Sequence, residues 1–379
     1  MGQGYSPERH GSQSTNGFEK SSQAPTVTAM TEGSDKMPLR KGWTTGACAT
    51  AAVKAAFEAL SSGTFPDPVT ITLPKGENPS FSLQRKTLEE GRATASVIKD
   101  AGDDPDVTHG AEIVATVKWG APGSGITFKA GEGVGSATLP GLPIGVGEPA
   151  INPSPRKMME AVVEGDVEIT VAIPNGEKLA LKTMNPRLGI VGGLSVLGTT
   201  GVVVPYSCSA WIHAIQSGVD VARAQGLNHI AACTGSTSEA LLRSELDLPD
   251  YAYIDMGDFV GGLLKYLRKN PVPRLTLGGG FAKLVKLAQG AADLHSKRSS
   301  VDFLFLGICL DELNAPALAE KAREANTAAQ VLTMAQEAGV PLGDFIAQKA
   351  KESTLSMLDG QTEIEVVAVD RKGEVAGRA

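Results

Sequence analysis

Apolar residues recur at helical spacing in the first stretch of the chain that can fold. Ala49, Val53, Phe57 and Leu60 fall on one face of an amphipathic helix, and a threonine just before them can act as its N-cap. Beyond this helix the pattern changes to short runs of β-type residues bounded by turn residues. These runs predict strands over residues 69–73, 93–98, 111–119 and 125–130.

A second helix is predicted over residues 154–165, because a proline stands in its first turn and apolar residues follow. Residues 166–173 and 178–183 are predicted to form a β-hairpin across the Pro174-Asn175-Gly176 turn. Two helices among many strands indicate an α+β domain over residues 38–195.

Strand and helix patterns alternate in the second half of the chain. The apolar run at 201–207 predicts a strand, residues 210–226 a helix, and residues 228–233 the next strand. This succession is typical of a parallel sheet with right-handed crossovers. Residues 196–379 are therefore predicted to form an α/β domain. It would contain a doubly wound, Rossmann-like parallel sheet, a helical extension over 301–360 and a final hairpin around Lys372-Gly373.

The first 37 residues are rich in Ser, Gly, Gln and Thr and contain few large apolar side chains. Such a segment cannot bury enough surface to offset its conformational entropy, so residues 1–37 are predicted to be a disordered tail. Met30 and Met37 are alternative start residues.

Composition narrows the classes of partner. The chain has 379 residues and a formal net charge of −7, so it has no overall positive field to attract nucleic acid or anionic lipid. No apolar run approaches the ~18 residues of a membrane span. Cys48, Cys208, Cys233 and Cys309 contain no C-x-x-C pair, which argues against a disulfide framework or structural zinc. A cytoplasmic protein with no membrane or nucleic-acid partner is expected.

Small polar residues follow the predicted strands of the second half. In open α/β sheets ligands bind outside the carboxyl ends of the strands, where helix N-termini present free N–H groups. These loops predict a binding crevice, although Gly and Ser are also ordinary turn residues in such loops. The candidate binding residues are Ser207, Thr234, Gly235, Ser236, Asp258, Gly278, Gly279 and Gly280.

Residues 192–201 have the glycine spacing of a phosphate loop, but Thr199 stands where the lysine belongs. Without that lysine a triphosphate lacks its main compensating charge. This segment therefore argues against nucleotide hydrolysis.

Cationic residues cluster in predicted turns and helix starts, where guanidinium groups and free N–H groups can both donate to an anion. The pattern favours a small-molecule polyanion as ligand, with ordinary solvated surface charge as the alternative. The candidate substrate-binding residues are Arg40, Lys41, Thr44, Thr45, Arg156 and Arg187.

Residues 98–110, called here the Asp-rich loop, carry four aspartates and one of the five histidines of the chain. Calcium-loop spacing fails at the glycine, and zinc would need more His or Cys than His109 supplies. An acid/base site remains open, with Asp104, Asp103 and His109 as candidate catalytic residues. A tight turn shaped by Asp side chains also remains open, with Asp100 and Asp106 in that role.

Long blocks of this sequence closely resemble the cobalt-precorrin-5B C1-methyltransferase family of anaerobic corrinoid biosynthesis. The resemblance covers residues 38–375, and Trp43 and Ala47 are small departures beside the first block. The blocks are "LRKGWTTGACATAA", "KDAGDDPDVTHG", "GEGVGSATLPGLPIGVGEPAINPSPRKMM", "NPRLGIVGGLSVLGTTGVVVP" and "GDF".

The resemblance implies transfer of the methyl group of S-adenosylmethionine to C1 of a cobalt tetrapyrrole, giving cobalt-precorrin-6A and S-adenosylhomocysteine. With this reaction, our hypothesis is that the crevice holds S-adenosylmethionine and that the basic residues receive the substrate carboxylates. In the same hypothesis, Asp104 with His109 accepts a ring proton or binds a pyrrole N–H. Cobalt would arrive inside the substrate, so no protein-bound metal is expected.

A homo-oligomer and transient contact with neighbouring pathway enzymes are further expectations. Two alternatives remain at this point. One is a small-molecule kinase, and the other is a non-catalytic corrinoid-binding protein of the same pathway.

Overall fold

A computed structural model describes residues 38–358, 360 and 362–379, so the predicted disordered tail over residues 1–37 lies outside the described residues. The helices are α1 (Thr45–Ser62), α2 (Pro153–Glu160), α3 (Gly176–Ala180), α4 (Cys208–Ala224), α5 (Ser236–Glu245), α6 (Val260–Leu267), α7 (Phe281–Ala288), α8 (Phe303–Glu312), α9 (Pro316–Arg323), α10 (Ala328–Glu337) and α11 (Leu342–Met357). Short 3-10 helices span Pro186–Leu188 and Asp250–Ala252.

The strands of the first half are β1 (Gly42–Trp43), β2 (Val69–Thr70), β3 (Ser80–Phe81), β4 (Arg85–Glu89), β5 (Arg92–Ile98), β6 (Glu112–Trp119), β7 (Ile126–Ala130), β8 (Ser136–Ala137), β9 (Val167–Ala172), β10 (Ile190–Val191) and β11 (Val202–Val203). The second half contributes β12 (His229–Cys233), β13 (Tyr253–Asp255), β14 (Arg274–Gly280), β15 (Glu363–Val369) and β16 (Val375–Arg378). The prediction of a mixed α and β fold is confirmed.

The main sheet of the first half has the order β4-β5-β6-β9-β7 and is antiparallel except for the β7–β9 pair. Helix α1 packs on β5 and β6. Alanines line both sides of this contact, including Ala51 and Ala55 on the helix and Ala95 and Ala115 on the strands, and all four are fully buried. Small side chains let a helix approach a sheet closely, so the alanine-rich pattern of α1 fits its place.

The predicted hairpin over 166–173 and 178–183 is wrong in its second strand, because residues 176–180 form the short helix α3. Strand β9 already pairs with β6 on one side and β7 on the other, so it offers no edge to a returning strand. Gly176 also lies against Gly133, whose carbonyl oxygen would be 2.1 Å from an added Cβ. Tertiary packing therefore overrides the local turn signal.

The sheet of the second half has the order β13-β12-β14-β15-β16. Its first four strands are parallel, and β16 pairs antiparallel with β15. From β12 the chain moves to one side to form β13 and then to the other side to form β14. Strand order therefore reverses between β12 and β14.

Helices cover both faces of this second sheet. Helix α5 packs on one face through Leu242, against Ala231, Cys233 and Val367. The larger core on the other face combines residues of α4, α6, α7 and the helices from α8 to α11. A separate core, drawn from residues 47–196, fills the first half.

The apolar run at 201–207 does not join the parallel sheet, which corrects its predicted place in the α/β half. Only Val202 and Val203 are in β conformation, and they pair antiparallel with Trp43 and Gly42. The neighbours of β12 are β13 and β14, so the sheet leaves this run no position beside β12. Residues 39–379 form one compact unit, and the division into two domains at residue 195 stays a prediction.

Candidate functional site

The Asp-rich loop is anchored by the segment that precedes α1. Trp43 N donates to Asp100 O at 2.7 Å, and Asp103 N donates to Arg40 O at 2.9 Å. A Cβ on Gly42 would lie 2.0 Å from the carbonyl carbon of Ala101, so only glycine allows the two backbones to approach this closely. The first predicted motif and the Asp-rich loop therefore form one structural unit.

Arg40 forms an ion pair with Asp100. Its Nη2 donates to Asp100 Oδ1 at 3.0 Å, and Nη1 contacts Oδ2. The guanidinium, together with the N–H of Gly102, lowers the pKa of Asp100 to about 2. Arg40 thus already has a carboxylate partner, whereas Lys41 is exposed and makes no hydrogen bond with the described residues. Both residues remain predicted substrate ligands.

The three candidate catalytic residues have separate partners. Asp103 Oδ2 accepts the backbone N–H of Arg40 at 2.6 Å. Asp104 Oδ1 accepts the backbone N–H of Tyr206 at 2.8 Å. The nearest carboxylate to His109 is that of Asp100, with Oδ1 3.8 Å from Nδ1. The structure therefore does not pair Asp104 with His109 directly, and their catalytic roles stay predictions.

His109 has a defined tautomer in its neutral form. Its Nδ1 accepts the backbone N–H of Ala101 at 3.1 Å, so Nε2 carries the proton. An imidazole with this arrangement donates a hydrogen bond from Nε2. In this tautomer the free ring nitrogen of His109 is a hydrogen-bond donor and not a proton acceptor.

Lys99 is not one of the candidate site residues, yet it is almost completely buried, with 1% of its surface exposed. Its Nζ donates to Asp106 Oδ2 at 2.7 Å, and Asp106 Oδ1 accepts from the N–H and hydroxyl of Thr108. Burial raises the pKa of Asp106, but the Lys99 charge and the Thr108 donors outweigh it and hold that pKa below its ordinary value. Every second residue of β5 faces the core, namely Ala93, Ala95 and Val97, and the next position in this series is Lys99. This alternation in the sequence is the signal that predicts the burial of Lys99.

Thr44 and Thr45 use their hydroxyls within the fold. Thr44 caps α1 by accepting from Ala47 N at 3.1 Å. Thr45 Oγ1 donates to Leu197 O at 3.2 Å and accepts from Leu197 N at 3.0 Å. Both side chains are buried, so substrate contact by either stays a prediction that needs them to be uncovered.

Arg156 is also occupied by protein groups. Its Nη2 donates to Glu148 Oε2 at 2.8 Å, its Nε donates to Ile151 O at 2.9 Å, and its guanidinium lies 5.4 Å from the ring centre of Phe128. These contacts hold the entry into α2. The predicted substrate contact remains untested by them.

Arg187 joins the two halves of the chain. Its two terminal nitrogens donate to Glu239 Oε1 at 2.6 Å and Oε2 at 3.0 Å, and Glu239 lies in the first turn of α5. Arg243 donates to the same Glu239 Oε1 at 2.8 Å. The Glu239 carboxylate is therefore already paired with two arginines of the protein.

The carboxyl ends of β12, β13 and β14 lie at the same edge of the sheet, and residues 234–236, 255–258 and 278–280 at these ends are called here the carboxyl-edge crevice. A Cβ on Gly278 would meet Leu242 at 2.8 Å, and one on Gly279 would meet Leu284 at 3.0 Å. Close packing against leucine side chains therefore explains why glycine stands at these two positions. A Cβ on Gly235 or Gly280 would meet nothing within 4 Å, and neither residue has a left-handed φ.

Gly235 and Gly280 precede α5 and α7, and neither helix has a side-chain cap. Thr234 N donates to Gly278 O at 3.0 Å, so the carboxyl ends of β12 and β14 lie side by side where strand order reverses. Ser236 is exposed at the start of α5. These features fit a ligand that approaches the backbone at both helix starts.

Asp258 forms an ion pair with Lys283 in this crevice. Its buried Oδ1 lies 3.2 Å from Lys283 Nζ, although it accepts no hydrogen bond there. Lys283 also donates to Thr234 O at 2.7 Å, and an ammonium has three protons, so one lysine serves both groups. Asp255, which is also not one of the candidate site residues, has a pKa raised chiefly by burial. The Asp258 side chain is 24% exposed and accepts no hydrogen bond from the described residues, so the exposed part of its carboxylate can accept one from a ligand hydroxyl.

Ser207 caps α4 by position, but its hydroxyl pairs with Ser209 Oγ at 2.8 Å rather than with a helix N–H. Trp211, in the first turns of α4, donates from Nε1 to Asp255 O at 3.3 Å. The start of α4 thus reaches from the Asp-rich loop, through Tyr206, to the end of β13.

Comparisons with known proteins identify the family to which this chain is similar. Models of the CbiD family and of the CbiD C-terminal domain match residues 32–205 and 293–379. A cobalt-precorrin-5B C(1)-methyltransferase from Rhodospirillum rubrum is 57% identical over 92% of this chain and 99% of its own length. The chain belongs to the CbiD family.

A second curated relative and a solved structure are also similar to this chain. The Paramagnetospirillum magneticum protein of the same name is 55% identical over 91% of this chain and 99% of its own length. A solved CbiD structure, a cobalamin biosynthesis protein from Archaeoglobus fulgidus, is 29% identical and covers 69% of this chain and 83% of that one, with a TM-score of 0.37.

In the part of the chain that the structure describes, no group of three or more His, Cys, Asp or Glu side chains is placed to hold a metal ion. No helix within residues 38–358 has both the length and the apolar character to cross a membrane. An open cavity of about 500 Å³ lies beside Arg223, Asn228 and Pro271, at the amino ends of β12 and β14. It is therefore separate from the carboxyl-edge crevice.

Proposed function

We propose that this chain methylates C1 of cobalt-precorrin-5B with S-adenosylmethionine as methyl donor. The observation that carries this proposal is the identity of 55–57% over 91–92% of the chain to proteins named for that activity. At such identity and coverage the similarity extends over nearly the whole chain and is not limited to one motif.

The carboxyl-edge crevice is the proposed site for S-adenosylmethionine, which supplies a methyl group bonded to a sulfonium sulfur. Gly235 and Gly280 leave room for close approach, and the exposed part of the Asp258 carboxylate, which accepts no hydrogen bond from the described residues, is an acceptor for a ribose hydroxyl. The reversal of strand order between β12 and β14 supports the same place and a doubly wound, Rossmann-like arrangement. Ser207, Thr234, Ser236, Gly278 and Gly279 shape or flank this site.

The Asp-rich loop is the proposed substrate side. Lys41 is exposed and unpaired among the described residues, and the Nε2–H of His109 is a donor, so both suit substrate carboxylates. Asp104 Oδ2 makes no hydrogen bond with the described residues and is available to a pyrrole N–H or a departing proton. Arg40, Arg156 and Arg187 would have to exchange an internal carboxylate for one of the substrate.

Positioning is expected to dominate catalysis. Well-oriented reactants can gain ~10⁵ to 10⁸ M in effective concentration, whereas a general base typically contributes ~10² to 10⁴-fold. The chain would therefore act mainly by holding donor and acceptor in line. A cytoplasmic location, a homo-oligomer and contact with neighbouring pathway enzymes belong to this proposal as expectations.

The kinase alternative loses support from the glycine-rich segment 192–201. A Cβ on Gly198 would lie 2.3 Å from Thr44 Oγ1, and Leu197 O accepts from Gly46 N at 3.0 Å. Leu197 and Gly198 therefore pack against the start of α1, which argues against a phosphate cradle at that point.

The test is an anaerobic incubation of the protein with cobalt-precorrin-5B and methyl-labelled S-adenosylmethionine, followed by mass analysis. One added methyl group is expected in the tetrapyrrole. Asp258→Asn should weaken binding of S-adenosylhomocysteine, whereas the control Asp250→Asn, on an exposed carboxylate paired with Arg243, should not. Recovery of unlabelled substrate would favour a non-catalytic binding protein, and a melting temperature raised by ATP with magnesium alone would favour a kinase.

A further inference from the structure

Tyr206 has an unusual backbone conformation for an aromatic residue. Its φ is +56°, in the left-handed region that bulky side chains rarely adopt. Its side chain is 68% exposed, and its hydroxyl makes no hydrogen bond with the described residues. Nothing in the described fold uses this ring, yet the backbone is held in a costly conformation that presents it to solvent.

A carboxylate holds this conformation. Asp104 Oδ1 accepts the backbone N–H of Tyr206 at 2.8 Å, across 102 positions of chain. Asp104 itself belongs to the Asp-rich loop, which Gly42 and the backbone of Arg40 fix in place. The ring of Tyr206 is therefore presented from a position that two separate segments determine.

A second exposed ring lies further along the same segment. Trp211 is 47% exposed and is fixed by its bond to Asp255 O and by packing against Phe259, with ring centres 6.3 Å apart. Val204, on the other side of Tyr206, is also half exposed. Exposed apolar groups concentrated in one short segment indicate a binding surface more often than scattered ones do.

This segment lies between the two proposed binding regions. It contacts the Asp-rich loop at Tyr206 and the carboxyl-edge crevice at Trp211, and methyl transfer requires donor and acceptor to meet between those regions. A conjugated tetrapyrrole offers a flat apolar face that an aromatic ring can stack on, and its carboxylates project from the edge. The exposed ring and the position thus match the acceptor.

We infer that Tyr206 is a substrate-positioning residue whose ring packs on the face of the tetrapyrrole, and that Asp104 holds the backbone of Tyr206 in place. This inference rests on the proposed function. It gives Asp104 a role that depends on hydrogen-bond acceptance and not on its charge.

The test compares three variants at Tyr206 by steady-state kinetics under anaerobic conditions. Tyr206→Gly and Tyr206→Asn tolerate a left-handed φ but lack the ring, so KM for cobalt-precorrin-5B should rise about ten-fold or more while KM for S-adenosylmethionine stays unchanged. Tyr206→Phe keeps the ring and should stay within about two-fold of the parent KM. The Gly and Asn variants should melt at or above the parent temperature, because backbone strain is relieved.

Variants of Asp104 separate positioning from acid/base chemistry. Asp104→Asn keeps an acceptor for Tyr206 N–H and should raise KM for the tetrapyrrole less than Asp104→Ala, which should raise it as Tyr206→Gly does. An unchanged KM in Tyr206→Gly, or an equal rise for both substrates, would overturn the inference.

Failure of the proposed function can be recognised separately. If the parent protein transfers no methyl group, the same variants are compared by their dissociation constants for cobalt-precorrin-5B, followed by quenching of tryptophan fluorescence. Weaker binding in Tyr206→Gly would then support a binding role for the ring. Equal binding in all variants, or none in the parent, would reject it.

Discussion

The Asp-rich loop and the carboxyl-edge crevice are both dense in polar groups, but they differ in how many of those groups the protein already satisfies. In the loop, Asp100, Asp103, Asp104 and Asp106 each accept at least one hydrogen bond from the chain itself. In the crevice, the Asp258 carboxylate has an ion pair with Lys283 but accepts no hydrogen bond from the described residues, and two glycines face open space. The aspartates of the loop thus have hydrogen-bond partners within the protein that Asp258 lacks.

The difference shows that density of carboxylates is a poor guide to a ligand site. Four aspartates close in sequence repel one another unless donors and cations compensate them, and the loop recruits Arg40, Lys99 and several backbone N–H groups for that purpose. Groups left without partners are more informative, because a buried polar atom costs free energy until something binds it.

The largest expected effect comes from removing the buried cation of the loop. Lys99→Met leaves the partly buried Asp106 carboxylate without its partner, which should lower the free energy of unfolding by on the order of 3 kcal/mol. Urea unfolding followed by circular dichroism measures this loss.

A matched control is Lys86→Met, which removes the partner of Asp67 at 2.9 Å on the protein surface. Solvent screens that pair, so its loss should be much smaller. Equal losses in the two variants would show that the loop does not depend on its buried ion pair.

Two glycines of the crevice should respond in different ways to the same substitution. Gly278→Ala places a methyl group 2.8 Å from buried Leu242 and should cost about 1–3 kcal/mol of stability. Gly280→Ala meets no atom within 4 Å and should change stability by less than about 0.5 kcal/mol. It should nevertheless weaken S-adenosylhomocysteine binding about ten-fold, measured by titration calorimetry. Full affinity in Gly280→Ala would remove the main support for close backbone approach there.

The smallest expected effect is the acid dependence of the Arg40–Asp100 pair. The folded pKa of Asp100 is about 2, below the ~3.9 expected in the unfolded chain, so the folded state binds this proton less tightly. The stabilising contribution is therefore complete above about pH 4 and disappears as the pH falls toward 2. Both side chains are largely exposed, which keeps the effect small and sensitive to salt.

Asp100→Asn should flatten the acid end of the stability curve, measured by urea unfolding between pH 5 and pH 2 at low and high salt. Curves that stay parallel for parent and variant would show that this pair contributes nothing to acid stability.

The regular elements of the fold were largely predictable because their signals are local. The apolar spacing of Ala49, Val53 and Phe57 predicted α1, and alternating residues predicted β5, β6 and β9. The wrong hairpin strand at 178–183 depended on a non-local fact, namely that β9 already has a neighbour on each side. No turn motif carries that information.

The candidate site was less predictable for the same reason. Arg187 and Glu239 are 52 positions apart, and Thr45 and Leu197 are 152 apart, so no spacing rule links them. Lys99 is the exception, because the alternation of β5 places it on the inward side. Many candidate site residues were selected for the chemistry of their side chains alone. In the structure, several of these side chains already bind other groups of the protein.

The contact between Asp104 and Tyr206 also has a consequence for synthesis of the chain on the ribosome. Its two partners are separated by 102 positions, and translation adds roughly 5 to 20 residues per second. The Asp-rich loop therefore leaves the ribosome roughly 5 to 20 seconds before the segment that satisfies Asp104. The strand pair β1–β11 must also wait for residues 202 and 203, so this region can reach its final form only when more than half of the chain has been made.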